Sequence, residues 1–278
     1  MRSLTYKFIY DRTILELVIA HYTALTDIKT TIKDSYRKYV LKKASPSIPP
    51  LAVSPLQRHA LELAYTNKSE AAGLGWLNSI YINGLGSCPF CGGDGARTIE
   101  HYLPQTSYPE FSIFSLNLMP SCGDCNRKRN ASNAHGAKIK LLHPYFDRSL
   151  LDKISLYTSI DLKFGIPSFA ITYDRNQFEE EYQARIDHHI DTSIDDTAFF
   201  NRTWASLEAL KIHAEKCNSV QELKSKILDE QIYVCEATGD LNSWHHALCK
   251  GIMRLNDDEI NEIFKNSFGR RVTQQKNV

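Results

Sequence analysis

Four cysteines stand in two identically spaced pairs near the middle of this 278-residue chain. Thirty residues separate Cys88-Pro-Phe-Cys91 from Cys122-Gly-Asp-Cys125. A C-x2-C turn aims two thiolates at one point, and two such turns supply the four ligands of a closed tetrahedral zinc site. Because a closed site leaves no position for water, this pattern predicts a structural zinc. The ion would stabilise a Gly-rich segment that has little core of its own.

The alternative for either pair is a redox-active dithiol. Neither pair follows the strand-to-helix turn of a βαβ pattern, which argues against that alternative. The chain has seven cysteines, and an odd number fits poorly with a complete disulfide framework. We therefore expect Cys217, Cys235 and Cys249 to be buried or incidental thiols in a reducing cytosol.

Polar residues suited to acid–base and metal chemistry lie between and just after the cysteine pairs. Glu100 and His101 are adjacent, Asn117 follows His101 by sixteen positions, and Asn126 comes directly after Cys125. Each residue has an ordinary explanation when it is taken singly. A lone histidine is more often structural than catalytic, and an asparagine beside a turn commonly forms or caps that turn.

Together with the cysteines, these residues resemble the HNH endonuclease family with zinc knuckles. That family has C-x2-C, then Asp-His with a nearby Pro, then Asn-Leu, then C-x2-C followed by Asn or His and a Lys. The matching stretches here are the first cysteine pair, "EHYLP", "NLMPSC" and "CNRKR". The match covers residues 86–147 and implies a ββα-metal unit, in which a hairpin carries the histidine and a helix carries the last metal ligand.

The resemblance implies a metal-dependent endonuclease that hydrolyses phosphodiester bonds. His101 would act as the general base, since imidazole titrates near neutral pH. Asn117 would orient that imidazole. Glu100 and Asn126 offer hard oxygen donors, which suit a catalytic Mg²⁺ or Mn²⁺. The family usually has Asp at the position of Glu100, and the extra methylene of Glu would move the carboxylate outward.

Further residues of the same region are open to two interpretations. Arg127, Lys128 and Arg129 extend the helix that follows the second cysteine pair, where they either hold phosphates or form a solvated basic face. His135 and His143 are alternative metal ligands, because some HNH enzymes carry their last histidine further along the chain. We favour Asn126, since the adjacent zinc ligand would fix its position.

A narrower resemblance rests on the phrases "YPEFS…NL" and "HPYFD". They look like the PtuB-type HNH subunits of Septu-like bacterial anti-phage systems, which work with an ABC-type ATPase resembling PtuA. Residues 174–196 hold eight acidic and two basic residues. We expect this acidic stretch and the helical flanks to dock an ATPase partner, with nucleic acid, DNA or RNA, as the substrate.

Composition leaves a second function class open. The formal net charge of +1 hides basic regions, such as residues 1–60 with ten Lys and Arg against four Asp and Glu. No stretch approaches the roughly 20 apolar residues of a membrane span, so we expect a cytoplasmic protein. The alternative function is a zinc-stabilised adaptor that binds nucleic acid or protein without catalysis. A zinc hydrolase is excluded if all four cysteines bind the zinc, because no position is then open.

The elements around the motif are mostly helical, and the predicted class is α+β. We expect a helical region over 1–85, the HNH unit with its four-cysteine zinc site over 86–147, and a hairpin followed by helices over 148–278. Apolar periodicity predicts helices over 12–43, from Pro55, over 70–84 and from about 178. Alternation over 153–173 predicts a hairpin whose turn is Gly165-Ile166-Pro167. The tail from Gly269 is expected to be disordered.

Overall fold

The computed structural model describes residues 1–81, 84–130, 132–163, 166–265 and 267–269. The described chain is α+β and mostly helical, as predicted, with two separate two-stranded antiparallel sheets. Of the predicted turn Gly165-Ile166-Pro167, Gly165 lies outside the described residues, and the rest is wrong, because Ile166 and Pro167 are strand residues that pair with the preceding strand. The helix end at Asn83 and nearly all of the tail also lie outside the described residues. None of the described helices combines the length and apolar character needed to cross a membrane.

Contacts divide the chain into two compact units, and the three-region division made from the sequence stays a prediction. Unit 1 comprises Met1–Lys153 and Phe178–Ile194, and unit 2 comprises Ile154–Gln177 and the chain from Asp195. The elements of unit 1 are α1 (Asp11–His21), α2 (Lys29–Leu41), α3 (Pro55–Asn67), α4 (Asn78–Tyr81), β1 (Thr98–His101), β2 (Leu118–Ser121), α5 (Gly123–Arg129), α6 (Arg148–Leu151) and α7 (Glu180–Ser193).

Unit 2 contains a longer sheet and five helices among its described residues. They are β3 (Leu156–Lys163), β4 (Ile166–Tyr173), α8 (Asp196–Ala214), α9 (Val220–Leu223), α10 (Asp229–Ala237), α11 (Trp244–Met253) and α12 (Asp257–Ile263). The pairing of β3 with β4 confirms the predicted hairpin. Asp195 caps α8 by accepting a hydrogen bond from the Ala198 N–H at 2.8 Å.

Two predicted helices of the N-terminal region are wrong in extent. The helix expected over 12–43 is broken at Tyr22, whose backbone is not helical, and continues as a 3₁₀ segment (Thr23–Ile28) before α2 begins. The helix expected over 70–84 is reduced to a 3₁₀ turn (Gly75–Leu77) and α4, because Gly73 adopts a left-handed conformation with φ 70°. Helix α3 does begin at Pro55, behind a capping box formed by Ser54 and Gln57.

Aromatic side chains form much of the core that surrounds the site in unit 1. Tyr36 and Tyr39 project from α2 onto Phe111 and Phe114, with ring centroids 4.0 Å apart for Tyr36 and Phe114. Phe111 and Phe114 belong to the long connection between β1 and β2. The core therefore packs directly against the segment that joins the two strands of the site.

Candidate metal centre and catalytic strand

The four paired cysteines form a cluster of the size that a zinc ion requires. All four Sγ atoms lie within 4.8 Å of one another, and all four residues are buried. Cys88 lies 3.8 Å from Cys125, and Cys91 lies 3.7 Å from Cys122. Four sulfurs at the usual Zn–S distance of about 2.3 Å stand about 3.8 Å apart in a tetrahedron. The side chains therefore fit the predicted structural zinc.

Backbone geometry in both turns presents the sulfurs to a common point. Gly92 lies at φ 80°, and the Cys88 N–H donates to the Gly93 carbonyl at 2.7 Å, which closes the first turn. In the second turn, the Cys125 N–H at the start of α5 donates to the Cys122 sulfur at 3.3 Å. The Gly93 N–H donates to Cys91 at 3.2 Å. Backbone donors of this kind stabilise thiolates, the form in which cysteine binds metal.

The residues expected to do chemistry lie on a strand–strand–helix arrangement held by this cluster. In the antiparallel pair of β1 and β2, Glu100 stands opposite Met119 and His101 opposite Leu118. Asn126 lies in the first turn and a half of α5, and its Nδ2 donates to the Ile99 carbonyl at 3.1 Å. The cysteine cluster and this bond hold helix α5 against the strand that carries His101.

His101 is held as a neutral imidazole with one tautomer. Its Nε2 lies 3.0 Å from the Ser112 carbonyl, which accepts only from a protonated nitrogen. The proton therefore resides on Nε2, and Nδ1 carries the lone pair. The Tyr65 ring packs edge-on with its centroid 4.5 Å from that of the imidazole. Burial lowers the pKa of His101 to about 4, against a smaller opposing effect of the Ser112 carbonyl. The lone pair on Nδ1 is thus available at neutral pH.

Asn117 ties the long connection between the two strands to the end of β1. Its Oδ1 accepts from the Leu103 N–H at 2.8 Å, and its Nδ2 donates to the carbonyls of Leu103 at 3.1 Å and Phe111 at 3.3 Å. The side chain is fully buried. Asn117 thereby fixes the connection whose Ser112 carbonyl holds His101.

A hydrogen-bonded relay of buried side chains supports Asn117 from outside the motif. His143 accepts at Nδ1 from the Tyr145 N–H at 3.2 Å, so its Nε2 carries the proton and donates to the Tyr39 hydroxyl at 3.2 Å. The Tyr39 hydroxyl lies 3.0 Å from Asn117 Oδ1 and 3.1 Å from the Leu116 carbonyl. Burial lowers the pKa of His143 well below its usual range. Both nitrogens of His143 are engaged, which removes it as an alternative metal ligand.

Glu100 lies on the buried side of β1, against a cation from α5. Arg129 donates from Nε to Glu100 Oε1 at 3.2 Å, and the guanidinium stacks 3.9 Å from the centre of the Phe90 ring. Burial raises the pKa of Glu100 to about 7, and the Arg129 charge opposes that shift. Arg129 is 1% exposed. The expectation that it holds phosphate on the surface is therefore wrong for this conformation, because its charge is directed into the unit.

The other two cations of α5 and the remaining histidine are placed differently. Arg127 is exposed and pairs with Asp124 at 2.5 Å. Lys128 is exposed, and its Nζ donates to the Ile194 carbonyl. His135 is exposed, with Nδ1 at 3.1 Å from the carbonyls of both Pro46 and Ile48. Arg127 and Lys128 are thus exposed, whereas Arg129 is buried.

Glu100 and Asn126 each have one oxygen that makes no hydrogen bond to a described residue. Glu100 Oε2 and Asn126 Oδ1 accept no hydrogen bond from a described residue, whereas Oε1 and Nδ2 of the same residues are engaged. Carboxylate and amide oxygens are the ligands that Mg²⁺ and Mn²⁺ prefer. The bonded atom of each side chain, Glu100 Oε1 or Asn126 Nδ2, fixes its orientation and leaves the remaining oxygen as a donor to a metal ion.

Comparison with known proteins finds a partial similarity to a phage protein. The chain is 35% identical over 106 residues to protein ea31 of Escherichia phage lambda, a match that covers 36% of this chain and 36% of ea31. The chain thus matches about a third of the length of that relative. No family model matches, and no solved structure matches.

Sequence reasoning missed Tyr39 and the role of Arg129. The apolar periodicity of the predicted first helix includes the position of Tyr39 on the buried side, but no local pattern links it to residues 117 and 143. The signal for Arg129 is equally weak, since "CNRKR" reads as one continuous basic run. Only the fold distinguishes the buried Arg129 from the two exposed members of that run.

Proposed function

We propose that this protein is a metal-dependent HNH endonuclease, which hydrolyses phosphodiester bonds in DNA or RNA. The observation that carries the proposal is the environment of His101. A neutral imidazole stands at the end of a strand, its Nε2 held by a backbone carbonyl and its Nδ1 unprotonated. Two hard oxygen donors, on Glu100 and Asn126, lie on the same strand and on the helix held against it.

Each residue has a defined task in this proposal. His101 Nδ1 takes a proton from water as the water oxygen attacks phosphorus, and the bond to the leaving oxygen breaks. A Mg²⁺ or Mn²⁺ held by Glu100 and Asn126 would supply Lewis-acid stabilisation of the phosphate and the leaving oxygen. Asn117 positions His101 through the connection that contains Ser112. Arg129 positions Glu100. The structural zinc on the four cysteines holds α5 in place.

We propose further that the nuclease is the effector of a bacterial anti-phage defence system and acts with an ABC-type ATPase. The support is the resemblance carried by "YPEFS…NL" and "HPYFD". The latter phrase includes His143, the first residue of the relay that reaches Asn117. The acidic helix α7 packs beside the zinc cluster, where His189 donates to the Phe90 carbonyl at 2.9 Å. Its exposed acidic residues remain the proposed docking surface.

A metal titration of cleavage tests this proposal. Protein desalted free of loosely bound ions, with any required ATPase partner and nucleotide, is incubated with DNA and tRNA panels at increasing Mg²⁺ or Mn²⁺. Cleavage should require the added ion, and Asn126→Ala should need a higher concentration because one donor is lost. Binding of nucleic acid without cleavage at any ion concentration would instead favour the adaptor function.

A further inference from the structure

Three aromatic residues lie just before α1, one partly buried and two exposed. Tyr6, Phe8 and Tyr10 alternate along a non-helical segment, and Tyr6 packs on Tyr145 with ring centroids 5.4 Å apart. Phe8 follows at 6.5 Å from Tyr6, and Tyr10 at 4.9 Å from Phe8. Phe8 is 71% exposed and Tyr10 is 72% exposed. Two adjacent aromatic rings so open to solvent suggest a surface that receives a ligand. We call these three residues the aromatic strip.

The aromatic strip is fastened to the connection that holds His101. At one end, the Tyr6 hydroxyl lies 2.5 Å from the Ser115 hydroxyl. Just past the other end, the Asp11 carboxylate accepts from the Ser115 N–H at 2.9 Å and from its hydroxyl at 2.6 Å. Ser115 lies three residues after Ser112, whose carbonyl holds the imidazole. Phe8 and Tyr10 therefore lie between two residues that are both hydrogen-bonded to Ser115, in the connection whose Ser112 carbonyl holds His101.

The charges beside these rings are positive. Lys7 and Arg12 are exposed, and neither forms an ion pair with a described residue. Asp11, the one acidic residue in the segment, is directed to Ser115. The solvent-facing chemistry of residues 6–12 is thus a pair of aromatic rings flanked by two cations.

We infer that the aromatic strip is a stacking platform for the bases of an unpaired nucleic-acid strand on its way to His101. Bases stack on aromatic side chains whatever their sequence, and cations beside them hold the backbone. Bases of a duplex are already stacked in the helix and cannot use such rings. The inference rests on the proposed function and adds that the bound substrate is single-stranded near the site. An apolar protein partner would have no need of the two flanking cations.

The test is fluorescence anisotropy with a labelled single-stranded oligonucleotide and its duplex, without divalent ions so that binding is separate from cleavage. Phe8→Ala combined with Tyr10→Ala should weaken single-strand binding by about tenfold or more, given the usual strength of base stacking, and should leave duplex binding nearly unchanged. Leu41→Ala is the matched control, since Leu41 is an apolar side chain of the same unit that is 81% exposed. Lys7→Ala with Arg12→Ala should reduce the salt dependence of binding.

Several results would overturn the inference. Unchanged single-strand binding in the Phe8/Tyr10 variant would contradict it, and the proposed function would survive if that variant still cuts with wild-type metal dependence. Equal losses of single-strand and duplex binding would show a general surface effect instead of stacking. Loss of a protein partner with intact nucleic-acid binding would assign the rings to a protein interface. A wild-type protein that neither binds nor cuts nucleic acid would remove the proposed function as well.

Discussion

Glu100 and His101 are neighbours in sequence with different surroundings. Successive side chains of a strand point to opposite faces. Glu100 therefore meets Arg129 of α5, while His101 meets the Ser112 carbonyl. Burial favours the neutral form of both residues, raising the pKa of Glu100 to about 7 and lowering that of His101 to about 4. A base needs the neutral imidazole, whereas a metal ligand needs the carboxylate. The Arg129 charge opposes the rise in the pKa of Glu100 and so favours the carboxylate.

Tyr39 offers a sharp test of how the site is supported. Tyr39→Phe removes the hydroxyl between His143 and Asn117 and leaves buried partners unsatisfied, so the free energy of unfolding should fall by about 1–3 kcal/mol. Cleavage should fall as well, because Asn117 loses a constraint. Urea denaturation and cleavage rates measure the two effects.

Tyr36 is the control for that experiment. It lies on the same helix and packs on the same phenylalanines, but its buried hydroxyl has no hydrogen-bond partner among the described residues. Tyr36→Phe should therefore leave stability unchanged or raise it. Equal losses in the two variants would show that aromatic packing, and not the relay, supports the site.

At the residue scale, the sequence predicts the site correctly where the spacing of residues alone determines their geometry. The C-x2-C pairs predicted four clustered sulfurs, and the structure brings them together. The relay of Tyr39, Asn117 and His143 could not be predicted, because its members are separated by 78 and 26 positions. Whether a histidine or an arginine forms buried hydrogen bonds depends on where the fold places it, and local sequence does not show that.

The β1–β2–α5 arrangement should depend on its metal. Purified protein should contain about one zinc per chain, since two knuckles form one closed site. Cys122→Ser should lose the zinc and destabilise this arrangement, because the metal supplies folding free energy. Elemental analysis and thermal unfolding give the readouts. Cys217→Ser is the control, since Cys217 is buried in unit 2. A well-folded wild-type protein without zinc would contradict the prediction.

Helix α11 approaches strand β3 so closely that Gly251 has no room for a side chain. A Cβ at this position would lie 2.1 Å from the Thr158 carbonyl oxygen. Gly251→Ala should therefore destabilise unit 2 by about 1–3 kcal/mol or more, the usual cost of overpacking. The fluorescence of Trp244, buried against Phe199 in the same unit, follows its unfolding in urea. An unchanged midpoint would mean that the helix can move away from the strand without cost.

The elements were predictable where a local signal marks them. Pro55 behind Ser54 marks the start of α3, and alternation marks the β3–β4 hairpin. The break at Tyr22 was missed because apolar periodicity continues through it, and tertiary contacts of the buried Leu25 hold the 3₁₀ segment that follows. Helix α11 was missed altogether, although Ser243 caps it by accepting from the His246 N–H at 3.1 Å.

At the scale of the whole molecule, buried histidines should make stability depend on pH. Burial lowers the pKa values of His143 and His189 well below the usual value in the folded protein. The unfolded chain, with histidine pKa values near about 6.5, then binds more protons at acid pH. Stability should be fully present above that value and fall below it, by up to about 1.4 kcal/mol per pH unit for each histidine.

Two variants isolate the contribution of one histidine. His143→Gln should reduce the slope of unfolding free energy against pH between about pH 6.5 and 5, whatever its effect on absolute stability. His59→Gln should leave the slope unchanged, because His59 is exposed on α3. Both variants keep the four cysteines, so acid loss of zinc affects them equally. Identical slopes in the two variants would contradict the prediction.

The general-base role of His101 is the central claim, and single-turnover cleavage tests it most directly. His101→Ala should cut about 10²- to 10⁴-fold more slowly than wild type at saturating Mg²⁺ or Mn²⁺, with unchanged zinc content and nucleic-acid binding. His135→Ala, which removes an exposed histidine of the same unit, should cut at the wild-type rate. Equal rates for wild type and His101→Ala would contradict the account.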